Sequence, residues 1–544
     1  MVTSDEAHRA AHRRAYDIFE GVQSDQREVA LAELPAALSD ANLHGWTDVA
    51  LILDAAAAVD AITHPDSGGQ AAATVAAVGQ AVDALVDRAE ELGSSALQGL
   101  ALGLRAVVSA NADDKAATVL DAARAIALLD DDNESPLDRC VGYVVAAAAF
   151  NTLRLWELVD DLYDRALQFG AAAHETRQSA AVVVNRVLTR LEWALAVVEH
   201  GDVEPGDVEL ADELLDAVLD VVPAALAAEL PTLWRLNVLA CADVASLLRG
   251  IDADRILGRV DEHRRALTGA GDLEVLPMLE AATAVVLWRS GQREAAVEAA
   301  MQAIPATSAT SGAATFPLWA RAHVLAAADP SAATAALLDH THAVVRLLWQ
   351  SRRTVLAAAR AQILIEQRQH EHLALTRAVN TDALTGLFNR RRFELWLQQP
   401  VAELRACTAL LMIDVDDFKE VNDRFGHDCG DEVLRRVASM MASAVRPDDV
   451  AIRHGGDEFA LILEGDDLRA SAVRELAERL SAAISGASWA GVAPELQVSV
   501  SIGAALSHRT RKRAGVDPAA LYKVADAALY RAKGSRSRIA LSEV

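Results

Sequence analysis

Apolar and polar residues recur with two different periods along the chain. Up to about residue 340, Ala, Leu and Val stand at helical spacing, aromatic residues are few, and short breaks of Asp, Gly or Pro recur at helix-length intervals. This pattern predicts a long series of α-helices. After residue 380, short apolar runs alternate with amphipathic segments, which predicts a single α/β domain with a mixed sheet and helices packed against it.

Several pairs of the predicted amino-terminal helices resemble one another. Residues 279–305 predict a helix, a glycine turn at Gly291 and a second helix with Ala296, Ala300 and Ala303 at close-packing spacing. These pairs are similar to tetratricopeptide-type helical hairpins, although their period is irregular. Stacked hairpins would form a solenoid with a concave surface for a peptide or protein. An irregular helical bundle without a groove is the alternative.

A segment without Gly or Pro follows, from His340 to about Asn380, and predicts one long helix. Four of its apolar residues share a heptad frame that two polar residues interrupt, so the sequence is compatible with a dimeric coiled coil. The apolar residues are Leu356, Ala359, Ile363 and Leu373, and the interruptions are Glu366 and His370.

The predicted fold class is therefore multidomain. Residues 1–340 are expected to form an all-α helical-repeat, tetratricopeptide-like domain with a sensory or interaction role. Residues 341–380 are expected to form a linker helix, and residues 381–544 an α/β domain.

The net charge of −27 is distributed unevenly between these parts. Residues 1–380 hold 29 basic and 54 acidic residues, whereas residues 381–544 hold 22 basic and 24 acidic residues. The amino-terminal part should repel nucleic acids and anionic membranes, so neither is expected as a partner. The nearly neutral carboxy-terminal part is able to accept an anionic ligand at a local basic site.

The cysteines and the apolar segments indicate a cytoplasmic protein. The four cysteines lie far apart without CxxC spacing, which fits a reducing compartment better than a disulfide framework or a zinc site. The first twenty residues are charged throughout and lack the apolar core of a secretory signal. The longest uncharged segment, about residues 301–320, contains two prolines and many hydroxyl side chains, so no membrane-spanning helix is expected.

Carboxylates gather at the ends of two predicted strands. Residues 408–417 predict a buried strand that ends in three aspartates, and IRHGGDEFALIL (452–463) predicts a hairpin with a Gly-Gly turn followed by two carboxylates. If the strands are neighbours, Asp414 and the hairpin carboxylates Asp457 and Glu458 converge and repel one another unless a divalent cation binds. All-oxygen ligation favours Mg²⁺ or Mn²⁺, and paired metals suit an in-line displacement at phosphorus. The residues concerned are Asp414, Asp416, Asp417, Gly455, Gly456, Asp457 and Glu458.

Four ordered blocks between residue 381 and about residue 540 resemble the GGDEF family of diguanylate cyclases. The signature itself stands at 455–459; TDALTGLFNRRRF (381–393) and DVDDFKEVNDRFGHDCGDEVL (414–434) precede it, and VSVSIGAAL (498–506) and ADAALYRAK (525–533) follow it. The resemblance implies a fold like that of nucleotidyl cyclases and polymerase palms. It also implies a homodimer that condenses two GTP molecules into cyclic di-GMP, the 3′-hydroxyl of each GTP attacking the α-phosphorus of the other and pyrophosphate leaving.

The same resemblance implies roles for individual residues. Metal binding falls to the carboxylates of Asp414, Asp457 and Glu458 and to the main-chain carbonyl of Val415. The residues implied in catalysis are Asp457, which also helps to deprotonate the attacking hydroxyl, Glu458 and Lys533. Guanine binding falls to Asn422 and Asp431, for which a surface position and a helix N-cap are the respective alternatives. The residues implied in binding the rest of the substrate are Phe418, Lys419, Gly455, Gly456, Lys533 and Arg536.

Two positions depart from the family pattern. Family members carry an arginine four residues after the lysine that corresponds to Lys533, whereas AKGSRSRIA offers Arg536 as the equivalent and Arg538 as a competitor. Asp417 stands where the family usually has an apolar residue or histidine, and its negative charge is expected to weaken GTP binding modestly.

The segment Arg446-Pro447-Asp448-Asp449 resembles the RxxD site at which family members bind their own product. The resemblance implies that cyclic di-GMP inhibits the enzyme through Arg446 and Asp449, because arginine pairs with phosphate and stacks on guanine. A surface loop shaped by Pro447 is the alternative.

An active cyclase is favoured because the signature carboxylates Asp457 and Glu458 are retained. The alternative is a catalytically weak GGDEF module that acts as a cyclic di-GMP or GTP sensor, or as a scaffold whose main task lies in the helical region. The signal received by that region is an unidentified protein or small molecule.

Overall fold

The computed structural model describes residues 4–24, 26–64, 71–131, 134–173, 176–201, 208–227, 230–270, 275–304, 315–400, 407–446, 448–465, 468–508, 517–535 and 537–544. The chain divides between His370 and Glu371 into two compact units.

Every regular element in the described part of the first unit is a helix. The helices are α1 (Ser4–Gly21), α2 (Arg27–His44), α3 (Thr47–Thr63), α4 (Ala71–Leu92), α5 (Ser95–Asn111), α6 (Lys115–Leu129), α7 (Pro136–Thr152), α8 (Trp156–Ala172), α9 (Thr176–Gly201), α10 (Val208–Ala227), α11 (Thr232–Arg249), α12 (Ala253–Leu257), α13 (Val260–Ala270), α14 (Val275–Arg289), α15 (Arg293–Gln302), α16 (Thr315–Ala328) and the larger part of α17 (Ala332–Asn380). The prediction of an all-α amino-terminal region is therefore confirmed.

Short polar residues start several of these helices by accepting hydrogen bonds from the first turn. Ser94 caps α5 by accepting from the Leu97 N–H, and Asp114 caps α6 by accepting from the Ala117 N–H. Ser135 caps α7, where Pro136 at the first helical position has no N–H to leave unpaired. These caps explain why helices resume directly after short polar breaks.

The helical hairpin predicted around Gly291 is present as α14 and α15. Gly291 has a φ of +82°, a conformation that a residue without Cβ adopts at little cost. Ala296, Ala300 and Ala303 are fully buried, as their spacing predicts. Small side chains allow the two helices to approach closely, and this packing stabilises the hairpin.

Helix α17 is longer than predicted, since it begins at Ala332 rather than near His340. Within the first unit, Leu356 and Ala359 of the predicted heptad frame belong to a buried apolar cluster with residues of α5 to α9, and Ile363 packs against this cluster. The upstream part of that frame is thus covered by the protein's own helices. Leu373, by contrast, is 56% exposed.

The second unit contains a five-stranded mixed sheet whose neighbouring strands are, in order, β2 (Val450–Gly455), β3 (Glu458–Gly465), β1 (Cys407–Val415), β4 (Val500–His508) and β5 (Ile539–Glu543). Strand β1 pairs antiparallel with both β3 and β4, β2 pairs antiparallel with β3, and β4 pairs parallel with β5. The elements are α18 (Arg390–Leu397), β1 (Cys407–Val415), α19 (Phe418–Phe425), α20 (His427–Ala444), β2 (Val450–Gly455), β3 (Glu458–Gly465), α21 (Ala470–Gly486), β4 (Val500–His508), α22 (Pro518–Lys533) and β5 (Ile539–Glu543). The predicted α/β domain with a mixed sheet is confirmed.

Strand β1 lies at the centre of the sheet and is buried on both faces, which explains its continuous apolar sequence. Alternate residues such as Leu411 and Ile413 join one core, while Leu410 and Met412 join the core on the opposite face. Burial on both faces fixes the register of β1 and hence the position of the carboxylates at its end.

Helix α22 packs directly on β4 because Gly503 has no side chain. A Cβ at Gly503 would lie 2.0 Å from the main-chain nitrogen of Leu529, so a larger residue would push α22 off the sheet. This close approach determines where Lys533, the last residue of α22, lies. In the described part of the chain, no helix has the length and apolarity needed to cross a membrane.

Candidate active site

The strand pairing brings together the carboxylates that were predicted to converge. Asp414 stands directly opposite Glu458 in the antiparallel pair of β1 and β3, and side chains at such paired positions lie on the same face. The Val415 N–H donates to the Asp457 carbonyl at 3.1 Å, which ties the hairpin turn to the end of β1. One edge of the sheet therefore carries all three carboxylates.

The hairpin turn lies one residue later than predicted. Gly455 ends β2, Glu458 begins β3, and the turn consists of Gly456 and Asp457, with Gly456 at a φ of +44°. Two adjacent glycines are compatible with a turn at residues 455–456 and with a turn at residues 456–457, so the sequence alone did not fix the position of the turn. A bulge between Arg453 and Gly455 shifts the pairing and moves Gly455 into the strand. Asp457 is thus a turn residue rather than the start of a strand.

Lys533 extends from the end of α22 to the same carboxylates. Its Nζ lies 2.8 Å from Oδ2 of Asp414, whose side chain is 10% exposed. Burial and the negative charges of Asp457 and Glu458 raise the pKa of Asp414, although the contact with Lys533 opposes this shift. Burial favours the neutral amine of Lys533, but the contact with Asp414 and the other two carboxylates outweighs it and raises the pKa of Lys533.

These groups suit a divalent cation by their chemistry. Three carboxylates and one carbonyl at one end of the strands are the oxygen donors that Mg²⁺ prefers. Burial is the main cause of the raised pKa of Asp414, and the negative charges of Asp457 and Glu458 add to it. The arrangement is not a closed cage. Among the described residues, no group of three or more His, Cys, Asp and Glu side chains is placed to hold an ion. The ammonium of Lys533 supplies the positive charge beside Asp414 instead.

The two residues implied in guanine binding lie on consecutive helices. Asn422 is on α19 and Asp431 on α20, and both are half-buried. A Cβ at Gly430 would lie 2.0 Å from Oδ1 of Asn422, so the glycine makes room for this amide. Helix α20 begins at His427 with Gly426 as its N-cap, so the N-cap alternative for Asp431 is wrong.

Phe418 and Lys419 form the first turn of α19, where main-chain N–H groups lack helical partners and are suited to an anion. The Lys419 side chain is exposed. Asp417 precedes them as the N-cap residue with a φ of +53°, in the left-handed region.

Arg538 is held by the side chain of Asp416 and the hydroxyl of Ser499. Asp416 also accepts hydrogen bonds from Ser499 Oγ at 2.7 Å and Ser501 Oγ at 2.6 Å. The carboxylate of Asp416 thus links β4 to Arg538, the residue that directly precedes β5. Arg536, the other candidate for a phosphate contact, lies outside the described residues.

The RxxD segment lies between α20 and β2. Its Arg446 side chain is exposed, and the Arg446 N–H donates to Oδ2 of Asp449 at 3.0 Å. Pro447 lies outside the described residues. The side-chain contact of Asp449 fixes the turn and leaves the Arg446 guanidinium on the surface.

Sequence reasoning missed Asp382 and Arg453, which connect the first block to the hairpin. Arg453 Nη1 donates to Asp382 Oδ1 at 3.0 Å, and Asp382 also accepts from Thr385 Oγ1 at 2.7 Å. Burial favours the neutral acid, but the hydrogen bonds from Thr385 and Arg453 outweigh it and lower the pKa of Asp382. Two features of the sequence could have indicated this contact. Asp382 stands three residues before Thr385 in TDALT, and Arg453 stands two residues before Gly455.

Comparison with known proteins agrees with this geometry. The family described as "Diguanylate cyclase, GGDEF domain" matches residues 379–538. The probable diguanylate cyclase DgcT of Escherichia coli (strain K12) is 32% identical over 211 residues, which are 36% of this chain and 44% of that protein. The response regulator PleD of Caulobacter vibrioides (strain NA1000 / CB15N) is 42% identical over 160 residues, 28% of this chain and 34% of that protein. The chain therefore spans less than half the length of these two curated relatives.

A solved structure of the coiled coil and GGDEF domain of DgcB from Caulobacter crescentus, in complex with c-di-GMP, is 31% identical. The match covers 35% of this chain and all of that chain, with a TM-score of 0.29. Residues 379–538 of this chain thus match the GGDEF domain of the diguanylate cyclases, and the relatives are similar to the chain over this part.

Proposed function

We propose that the chain is a diguanylate cyclase that condenses two GTP molecules into cyclic di-GMP and releases two pyrophosphates. The observation that carries this proposal is the meeting of Asp414, Asp457 and Glu458 with Lys533 at one edge of the sheet. A polyanionic nucleotide requires both compensating cations and oxygen ligands for a metal, and this edge offers both.

Mg²⁺, or Mn²⁺ in its place, would be held by the carboxylates of Asp414, Asp457 and Glu458 and the carbonyl of Val415. When bound, it would neutralise charge on the phosphates and activate the attacking hydroxyl. Asp457 is suited to accept the proton of the 3′-hydroxyl because it lies on the hairpin turn rather than in the paired strand. Lys533 binds the phosphate chain as a point charge.

Recognition of GTP is assigned to the helices that flank β1. The half-buried carboxylate of Asp431 accepts hydrogen bonds from guanine N1 and N2, which adenine does not offer, and Asn422 adds an amide beside it. The main-chain N–H groups of Phe418 and Lys419, the Lys419 side chain and Arg536 bind phosphate oxygens. Gly455 and Gly456 allow the ligand to approach the main chain closely.

The reaction requires a homodimer. Each protomer holds one GTP, and two protomers must face each other so that each 3′-hydroxyl lies in line with the α-phosphorus of the other GTP. Alignment of two bound reactants supplies much of the rate by removing their translational and rotational freedom. Any element that changes the alignment of the two bound GTP molecules would therefore change the rate of their condensation.

We assign regulation to residues 1–340 and to the product. Consecutive helices in this region pack as neighbours, which supports a tetratricopeptide-like helical-repeat domain that binds an unidentified protein or small molecule. Residues 341–380 connect it to the catalytic domain 381–544. Cyclic di-GMP binds at Arg446 and Asp449 and inhibits. The GTP substrate and the four cysteines, which form no disulfide, fit a cytoplasmic location.

The decisive experiment is incubation of the purified full chain with GTP and Mg²⁺, followed by chromatographic analysis of the products. We expect cyclic di-GMP and pyrophosphate from the wild type and none from Asp457→Asn or Glu458→Gln. Glu478→Gln on the exposed face of α21 is the matched control and should retain full activity. Unchanged GTP together with tight binding of cyclic di-GMP would instead identify a sensor.

A further inference from the structure

Two histidines of the first unit face each other across the hairpin formed by α16 and α17. His323 is on α16 and His342 is on α17, and residues 329–331 connect the two helices. The Nε2 atoms of the two rings are 3.1 Å apart. Both residues are half-buried, so part of each remains accessible to solvent. Nothing in the proposed cyclase reaction uses this pair.

The other ring nitrogen of His323 is hydrogen-bonded to the main chain. Its Nδ1 lies 2.8 Å from the Trp319 carbonyl, and because a carbonyl only accepts, Nδ1 carries the proton. The Nε2 of His323 therefore has a lone pair, which is directed at the ring of His342. Donation from Nδ1 to a main-chain carbonyl is also the usual arrangement of a histidine that binds a metal ion through Nε2, since it fixes the tautomer and the ring orientation.

Packing holds the two rings in this orientation. The His323 ring lies against the ring of Trp319, with centroids 4.5 Å apart, and Trp319 is itself only 6% exposed. The rings of His323 and His342 have centroids 5.3 Å apart and are tilted by 32°. These contacts involve the faces of the rings, whereas the Nε2 atoms lie on the ring edges and are directed at each other. A ligand between the two Nε2 atoms thus displaces no packed ring.

The distance between the Nε2 atoms suits one shared metal ion. With Zn–N bonds of about 2.05 Å, two nitrogen ligands lie about 2.9 Å apart at a right angle and about 3.3 Å apart at the tetrahedral angle. The observed distance of 3.1 Å lies between these values. Without an ion, the Nε2–H of His342 donates to the Nε2 of His323. A bound ion replaces this single neutral hydrogen bond, and the proton of His342 moves to its Nδ1 by exchange with water.

The surrounding charge favours a cation. Residues 1–380 hold 29 basic and 54 acidic residues, so the field of this part of the chain attracts cations. Closer to the pair, Asp339 and Arg346 stand one turn before and one turn after His342, and their charges offset each other. The choice of ion therefore depends on the ligand atoms. Imidazole nitrogen prefers zinc, copper and nickel to magnesium and calcium.

We propose that His323 and His342 bind a divalent transition-metal ion of the zinc type, which joins α16 to α17. The described residues supply two ligands, so water molecules complete the coordination, as they do in open zinc sites. Because the two rings meet only in the folded hairpin, binding of the ion stabilises the first unit. The proposal does not depend on the cyclase reaction, since binding is measured in the absence of GTP.

The test is isothermal titration calorimetry of the full chain with Zn²⁺ in the presence of excess Mg²⁺. Mg²⁺ occupies oxygen-rich sites such as the GGDEF carboxylates but competes poorly for imidazole nitrogen. We expect the wild type to bind one more Zn²⁺ per chain than His342→Gln. The glutamine amide is still able to donate to His323, but its nitrogen has no lone pair for a metal. Equal numbers of bound Zn²⁺ in the wild type and His342→Gln overturn the proposal.

Matched variants locate the ion. His323→Gln should lose the same bound Zn²⁺, and it provides a second test if His342→Gln fails to fold. His340→Gln is the control, because His340 is exposed and stands two residues before His342, on a different face of α17. In thermal unfolding, Zn²⁺ should raise the midpoint of the wild type and of His340→Gln more than that of either site variant. Equal shifts in all four proteins, or the loss of one bound ion from His340→Gln as well, contradict the assignment.

Discussion

Arg453 and Asp382 form an ion pair that joins the start of the GGDEF domain to its signature hairpin. Arg453 Nη1 lies 3.0 and 3.2 Å from the two carboxylate oxygens of Asp382, and Nε and Nη2 donate to the Gly456 carbonyl at 3.0 and 2.8 Å. The side chains are 15% and 24% exposed, so solvent screens this pair less than a surface salt bridge. One guanidinium thus holds both the first block and the turn that carries Asp457.

Asp382→Asn should therefore destabilise the GGDEF domain and slow cyclic di-GMP formation. The variant leaves the partly buried Arg453 without its charge partner, which we expect to cost roughly 1–3 kcal/mol in the free energy of unfolding. Urea unfolding followed by circular dichroism and initial rates of product formation measure the two effects. Asp423→Asn on the exposed surface of α19 is the control. An unchanged unfolding midpoint for Asp382→Asn would show that the pair does not stabilise the domain.

The contrast between this pair and the strand carboxylates shows what the sequence can predict. The convergence of Asp414 with the hairpin followed from strand patterns and burial on both faces of β1, which are local properties of the chain. The segment that contains Asp382 is joined to β2 at Phe388, whose N–H donates to the Ala451 carbonyl and whose carbonyl accepts from the Arg453 N–H. Pairing between distant, irregular segments produces no periodic pattern in the sequence. The two motifs were therefore predictable, but the contact between them was not.

The same reasoning applies to the turn and to a cavity of about 750 Å³ in the first unit, which Trp156, Trp319 and Trp349 help to line. The turn was misplaced by one residue because the bulge before Gly455 is set by pairing with β3 and not by the glycines themselves. The cavity was not predicted at all. Trp156, Trp319 and Trp349 are widely separated in sequence and meet only through the packing of α8, α16 and α17.

Gly430→Ala should impair GTP selection without removing any group that is proposed to bind the metal. The new Cβ would lie 2.0 Å from Asn422 Oδ1, so the amide must move. We expect the KM for GTP to rise roughly tenfold, a loss of about 1.4 kcal/mol in binding, with a smaller change in kcat. Discrimination against ATP should fall in the same assay. Gly486→Ala, where a Cβ meets nothing within 4 Å, is the control. A lower kcat at constant KM would contradict a role in guanine binding.

Lys533→Gln should nearly abolish turnover. The amide retains much of the side-chain volume but loses the positive charge beside Asp414, which leaves the three carboxylates less compensated. It also removes the phosphate contact that we propose for Lys533. We expect kcat to fall by roughly a hundredfold, as for other single electrostatic contacts in active sites. Lys523→Gln on the exposed side of the same helix is the matched control. Wild-type kcat in Lys533→Gln would exclude this lysine from catalysis.

Arg446→Ala should relieve product inhibition and leave the initial rate unchanged. The guanidinium is exposed, while the turn is fixed by the Arg446 main chain and Asp449, so truncation of the side chain preserves the loop. Initial rates measured with increasing cyclic di-GMP should give an inhibition constant at least tenfold higher than in the wild type, since a charged contact to phosphate is lost. Arg474→Ala on the exposed face of α21 is the control. The same inhibition constant in Arg446→Ala and the wild type would place the product elsewhere.

Glu199→Gln should stabilise the amino-terminal unit, and more so at high pH. Burial raises the pKa of Glu199 from its ordinary value of 4.5 to about 8. An acid with a raised native pKa contributes stability below its unfolded pKa, and this contribution is lost as pH rises toward the native pKa. Between pH 4.5 and pH 8, the free energy of unfolding of the wild type therefore falls relative to that of Glu199→Gln, by at most roughly 1.4 kcal/mol per pH unit.

Thermal unfolding of the wild type and Glu199→Gln at pH 5 and pH 8 measures this difference. We expect similar midpoints at pH 5 and a higher midpoint for the variant at pH 8, since glutamine keeps the hydrogen bond from Thr315 but never ionises. Glu298→Gln, at an exposed position on α15, controls for the general effect of removing a carboxylate from this acidic unit. A stabilisation of equal size at both pH values would mean that Glu199 ionises in the native protein much as it does in the unfolded chain.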